Sequence, residues 1–239
     1  MDSVLSRLPP RLRSNAPLPA WYLASWIGGA RHRQRFDDVE TYCMFVGHGR
    51  SGHSLVGALL DAHPEVVLSH ELDAARYFRL GFTRNQVYWL ILRNERQFAR
   101  RGATALVDYK YAVPNQWQGR ERHLRVIGDK KGGRSSRDLR LHPELVEGVR
   151  KAVGVKLRLI HVVRNPYDTI STMFRRKGPG TDLDERIQHF LSLAETVSSL
   201  KQRLLPGEML EIRHEDLIGH PSATLRSIGS FLDLEMDDD

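Results

Sequence analysis

Residues 47–54 read Gly47, His48, Gly49, Arg50, Ser51, Gly52, His53 and Ser54: three glycines interleaved with an arginine and two hydroxyls. Glycine lets the backbone turn tightly and come close to a ligand. The apolar stretch YCMFVG precedes the run. LVGALLDA follows it, with Leu55, Val56, Leu59 and Leu60 at helical spacing. The order is therefore strand, glycine-rich turn, helix. The first N–H groups of such a helix have no partner inside it, and with the helix dipole they make a site for an anion, most naturally phosphate. Arg50 adds a bidentate clamp, and Ser51 and Ser54 add hydroxyl donors. Gly47 and Gly52 fit the spacing of a nucleoside-triphosphate loop, but His53-Ser54 stands where that loop has Lys and then Ser or Thr. The glycines also spell GxGxxG, without an acidic residue in the expected role about 20 positions on. A hydrolase elbow, GxSxG, is excluded by His53 at its last glycine.

Two further strand ends carry cations. Lys130 and Lys131 follow VIGD, and Arg164 follows LIHVV. Parallel sheets place ligands at the carboxyl ends of their strands, so Arg50, Lys130 and Arg164 are expected around one crevice that holds several negative charges. Pro166 fits a helix start, with Ser171 and Thr172 about two turns on. His70 and Glu71 end another strand. Either could take a proton from an acceptor hydroxyl or amine: Glu71 as a carboxylate, His70 because imidazole titrates near neutrality. The histidines show neither HExxH nor a Cys/His cluster, so no metal is expected.

These residues need a scaffold. Strands are expected at 42–47, within 65–71, after Leu124, from Lys156 and from Met209; helices at 52–62, 72–78, 84–100, 142–153, 182–205 and from Pro221. Residues 105–119 read as a turn of helix followed by loop, and VIGDKKGGR as strand followed by loop. Alternating strands and helices predict an α/β fold, a single domain with a P-loop-like central parallel sheet flanked by helices. The expected division is a partly ordered N-terminal arm (1–40), the domain (41–235) and an acidic tail (236–239). PAWYLASWIGG in the arm reads as a short helix packed on the domain or an exposed contact patch.

The chain has 239 residues and a formal net charge of +7, which favours anionic ligands of any kind. That charge, with RHRQR, Trp21 and Trp26, is the support for a nucleic-acid-binding module as a rival reading, and no recognised module accompanies it. Cys43 is the sole cysteine, which excludes an internal disulfide and a cysteine-rich metal site. No run of 18 apolar residues suggests a membrane span, and the N-terminus lacks a signal-peptide core, so a cytoplasmic location is expected.

Taken together, GHGRSGHSLVGALLDAHP resembles the 5′-phosphosulfate loop of sulfotransferases that use 3′-phosphoadenosine 5′-phosphosulfate (PAPS), and VVRNPYDTISTM resembles their 3′-phosphate motif. IRHEDLIGHPSATLRSIGSFLDL is similar to the family segment after the long helix. The likeness runs from about residue 42 to 234 and is strongest to the tyrosylprotein sulfotransferase branch and its bacterial relatives, where arginine replaces the loop lysine. The resemblance implies Arg50 as loop cation, Glu71 as general base with His70 as the cytosolic-branch alternative, Lys130 at the transferred sulfate, and Arg164 with Ser171 and Thr172 at the 3′-phosphate. It implies PAPS as donor, 3′,5′-ADP as product, no metal, and a small-molecule, glycan or peptide acceptor. Oligomerisation is left open. His53 departs from the family, which usually has threonine there, so a ring N–H must replace the hydroxyl if that contact is kept. A P-loop small-molecule kinase remains the enzymatic rival, with Asp129 offered as its Mg²⁺-linked acid.

Overall fold

The computed structural model describes residues 18–104, 109–177, 180 and 182–236. Five short apolar runs form one sheet: β1 (Thr41–Val46), β2 (Val66–Ser69), β3 (Val126–Asp129), β4 (Lys156–Val163) and β5 (Met209–Arg213). The order is β2-β3-β1-β4-β5, and every pairing is parallel. Every residue of β1, β2 and β3 is buried, as a sheet covered on both faces requires. Side chains alternate between the faces. Tyr42 and Met44 enter one core with Phe36, Tyr88 and Leu159, whereas Cys43 and Phe45 enter the other with Leu60, Ile160 and Ile228. The fold is thus α/β, a central parallel sheet flanked by helices.

The helices are α1 (Leu18–Arg31), α2 (His53–Asp61), α3 (Ala74–Arg79), α4 (Arg84–Arg100), α5 (Gly132–Leu141), α6 (Leu145–Val153), α7 (Pro166–Lys177), α8 (Leu183–Lys201), α9 (His214–Gly219) and α10 (Pro221–Phe231), with a 3-10 turn at Arg33–Phe36. No helix among the described residues is long and apolar enough to cross a membrane. The chain leaves β1 first toward β3 and β2, and only later builds β4 and β5 on the other side. The loop after β1 therefore sits at the switch point, between the loops after β3 and β4.

Two expectations change. The segment after β3 is not a loop: only Lys130 and Lys131 separate β3 from α5. The glycines that looked like loop residues begin this helix because a Cβ on Gly132 would lie 2.3 Å from the His53 ring. Residues 109–119 form the expected loop, opened by an isolated bridge, Thr104 to Lys110, and residues 105–108, on which the expected turn of helix falls, lie outside the described residues. The helix expected from His142 begins at Leu145.

The helix expected in PAWYLASWIGG is α1, and it packs on α4. Gln86 Nε2 donates to the Tyr22 carbonyl at 3.3 Å and to Ser25 Oγ at 3.2 Å. Gly28 and Gly29 permit the close crossing: a Cβ on Gly29 would come within 2.8 Å of the Asn85 backbone. Residues 1–17 of the expected arm and 237–239 of the expected tail lie outside the described residues.

Gly128 is paired with Cys43 in the register of β3 on β1, and a Cβ there would lie 1.9 Å from the Cys43 carbonyl oxygen. Only backbone movement between two central strands could relieve this. Gly128→Ala is expected to cost about 2–3 kcal/mol, read as a lower urea midpoint at unchanged slope. A midpoint equal to the parent's would mean that the two strands separate freely.

Candidate functional site

The glycine-rich loop is held from its outer side. Gly47 N–H donates to Ser136 Oγ on α5 at 2.7 Å. The His48 ring stacks on Phe190 of α8 at 3.9 Å, and its Nε2–H donates to the Phe190 carbonyl at 2.9 Å. Ser51 Oγ donates to the His48 carbonyl at 2.8 Å. Gly47, Arg50 and Gly52 all have positive φ, at 108°, 70° and 108°. Gly47 requires it, since a Cβ would strike the His161 ring at 2.4 Å. Among the described residues, none of the backbone N–H groups from Gly49 to Ser54 has a protein acceptor, and nothing lies within 4 Å of the position of a Cβ on Gly49. The result is a concave row of amides at a helix N-terminus, a ready anion nest.

The His53 side chain does not belong to that row. Its ring is buried beneath the loop, edge-on to Phe45 at 5.6 Å and engaged with the Val46 carbonyl. Burial, with the nearby Lys130 charge, pushes it down to about 3. What His53 offers the loop is its backbone N–H.

Lys130 joins three segments. Its stem packs on Gly57, its ammonium donates to Ser54 Oγ at 2.7 Å and to Glu71 Oε1 at 3.1 Å, and only 3% of its side chain is exposed. Lys131 takes the other Glu71 oxygen at 2.8 Å. Partial burial would raise the Glu71 carboxyl, but the charges and hydrogen bonds of the two lysines prevail and hold it at about 2. Burial draws the Lys130 ammonium below the usual lysine value, against the pull of Glu71.

The backbone under Glu71 is fixed in an uncommon shape, with φ of 62° at Glu71 and 70° at Asp73. Three side chains that the sequence did not single out for this task hold it. Asp129 accepts from the N–H groups of Leu72 and Ala74, each at 2.9 Å. Glu95 accepts from the His70 N–H at 2.7 Å, and Asn94 Nδ2 donates to the His70 carbonyl at 3.2 Å. The His70 ring turns the other way, stacked on Phe98 at 4.0 Å, and burial with the Lys130 charge pushes it down to about 4. Both Asp129 oxygens thus accept backbone amides from the segment under Glu71.

On the other flank Arg164 reaches the loop. Its Nη1 donates to the Arg50 carbonyl at 3.2 Å, while its Nη2 lies 3.9 Å from Asp168. Glu215 accepts the Asn165 N–H at 2.9 Å and pins the start of α7. Ser171 Oγ donates back to the Asp168 carbonyl at 3.2 Å, and Thr172 is half-buried. The exposed Arg50 side chain and the amide row therefore lie between Lys130 on one side and Arg164 on the other. Four histidines surround the loop: His48, His53, His161 and His214, the last 3.3 Å from the position of a Cβ on Gly52. Burial is the chief cause that pushes each of them below the ordinary imidazole value.

Residues 156–238, from β4 through α10, match a model described as the sulfotransferase family. No curated protein matches the sequence. Among solved structures, the sulfotransferase domain of the Synechococcus PCC 7002 olefin synthase superposes with a TM-score of 0.54 at 18% identity, covering 84% of this chain and 76% of that one. The chain has a sulfotransferase fold. A sulfotransferase domain from the curacin biosynthetic pathway gives 0.53 at 15% identity, with 84% and 75% covered. A sulfotransferase from Mycobacterium tuberculosis H37Rv gives 0.52 at 13%, with 90% and 73% covered. The matched family segment begins at β4, the strand that Arg164 follows.

Proposed function

We propose that this chain transfers a sulfuryl group from PAPS to a hydroxyl or amine acceptor by direct in-line displacement. One observation carries the reading. A buried lysine at a strand end bridges a hydroxyl of the anion loop and a carboxylate at the rim, at 2.7 and 3.1 Å. In this reading the amides of Gly49–Ser54 and the Arg50 side chain hold the 5′-phosphosulfate. Lys130 and Arg50 stabilise charge on the sulfuryl oxygens and the departing phosphate. Glu71 takes the acceptor proton as the oxygen or nitrogen attacks sulfur. Arg164, with Ser171 and Thr172, recognises the 3′-phosphate once Ser171 turns from its own helix. The products are the sulfated acceptor and 3′,5′-ADP. Arg50 and Glu71 support the likeness to the tyrosylprotein and bacterial branch. The acceptor class stays as broad as the sequence left it.

Calorimetric titration tests the donor site. The chain is expected to bind 3′,5′-ADP more tightly than ADP, with no need for Mg²⁺. Arg164→Ala is expected to cost about 1.5–3 kcal/mol for the 3′-phosphorylated ligand and little for ADP. Equal affinities for the two nucleotides would sink the reading, and a Mg²⁺ requirement would favour the kinase.

A further inference from the structure

Beyond Gln118 from Lys130 lies a second cavity, of about 500 Å³. Four arginines from three stretches of chain line it: Arg35 from the 3-10 turn, Arg96 and Arg100 from α4, and Arg120 from the loop before β3. Among the described residues, the only carboxylate in the lining is Glu121, 3% exposed, which pairs with Arg35 and lies 3.7 Å from Arg96. Four arginines against one glutamate leave the lining with a net charge of +3.

This arrangement works against the fold. Arg96 and Arg100 are four apart on one helix, where like charges destabilise. Arg35 and Arg96 are both drawn below the ordinary guanidinium value, first by burial and then by a neighbouring arginine. Cations crowded and partly dehydrated in this way gain most when an anion joins them. Gln118 is a firm partition: it accepts from the Val113 N–H at 2.6 Å and donates to the carbonyls of Tyr111 at 2.8 Å and Ala58 at 3.3 Å. The cavity is therefore separate from the loop and from Lys130.

We propose that the arginine-lined cavity is a second anion site, which takes a small molecule bearing phosphate or sulfate groups. Guanidinium forks match tetrahedral oxyanions bidentately, and four of them exceed what one monoanion needs. The volume suits a small molecule rather than a lone ion. Glu121 holds Arg35 and Arg96 at the floor, and Arg100 and Arg120 are exposed at the rim, where Arg120 also donates to the Gln116 carbonyl at 2.8 Å and lies over the Trp117 ring.

Inorganic pyrophosphate is the probe, titrated at physiological ionic strength into the Arg50→Ala/Arg164→Ala chain, which lacks the arginines of the first site. Binding is expected there. It should fall about ten- to hundredfold when Arg100→Gln and Arg120→Gln are added, and Arg100→Lys should restore part of it. Both rim positions are exposed, so circular dichroism should show an unchanged fold. Absence of pyrophosphate binding in the first variant, or equal binding after the rim substitutions, overturns the proposal. Neither result bears on the preference for 3′,5′-ADP, so the two sites fail or stand separately.

Discussion

Glu71→Gln is expected to lower sulfuryl transfer about 10²–10⁴-fold while 3′,5′-ADP binds as tightly as before. The side chain keeps its size and loses most of its basicity. Glu71 sits at the rim, with each oxygen on a lysine. Held at about 2, it is ionised throughout the neutral range, but it is a weak base while both lysines stay on it. In the proposed mechanism Lys130 turns to a sulfuryl oxygen, which would take one of the two lysines off the carboxylate and raise its basicity at the step that needs it. His70→Ala should cost much less, because that ring is committed to Phe98. The assay requires an active acceptor, found first from a panel of phenols, sugars and peptides. If Glu71→Gln stays active and His70→Ala binds normally but does not transfer, the base is His70.

Lys130→Met should lower transfer about 10²–10³-fold, the usual effect of losing one aimed electrostatic group. Methionine retains the stem that packs on Gly57, so the fold should survive. The variant has a second readout. Without Lys130 the Glu71 carboxyl keeps only Lys131, so its pKa rises toward the ordinary carboxylate value. A depressed carboxylate contributes stability that is complete above its unfolded value and is lost as pH falls through its folded one. In the parent this loss extends down toward pH 2; in Lys130→Met it should be finished at higher pH. The acid limb of residual activity should move up with it. A pH profile that does not move, with transfer intact, would remove Lys130 from the site.

The sequence made the first loop legible because strand, turn and helix are contiguous there: Gly47 to Ser54 carry their own context. Lys130, Arg164 and Glu71 could be placed because strand ends in a parallel sheet share one edge. The supports were hidden for the opposite reason. Ser136 meets the Gly47 N–H across 89 positions, and Phe190 meets His48 across 142. Nothing local marks Asn94 or Glu95 in α4 as anchors for β2, and Asp129 looked like a ligand for a cation. The Gly132-Gly133 pair misled because glycine is a poor helix residue on its own; only the ring of His53 explains why a side chain is excluded there. Ser171 shows the limit of spacing: its helix begins where expected, yet its hydroxyl serves its own backbone.

The imidazoles around the glycine-rich loop have a consequence for how the site responds to its surroundings. Histidine is the side chain that would ordinarily make anion retention swing between acidic and neutral conditions. Here burial draws all four below the ordinary imidazole value, so each takes up its proton only under more acidic conditions than a free imidazole would. The attraction comes instead from peptide dipoles and from guanidinium groups, which do not titrate in this range. The contribution of these histidines to anion retention is therefore displaced toward more acidic conditions. What titrates between weakly acidic and neutral conditions lies instead under the rim: burial pushes Asp129 up to about 6 and Glu95 up to about 7, and both hold the backbone on either side of Glu71.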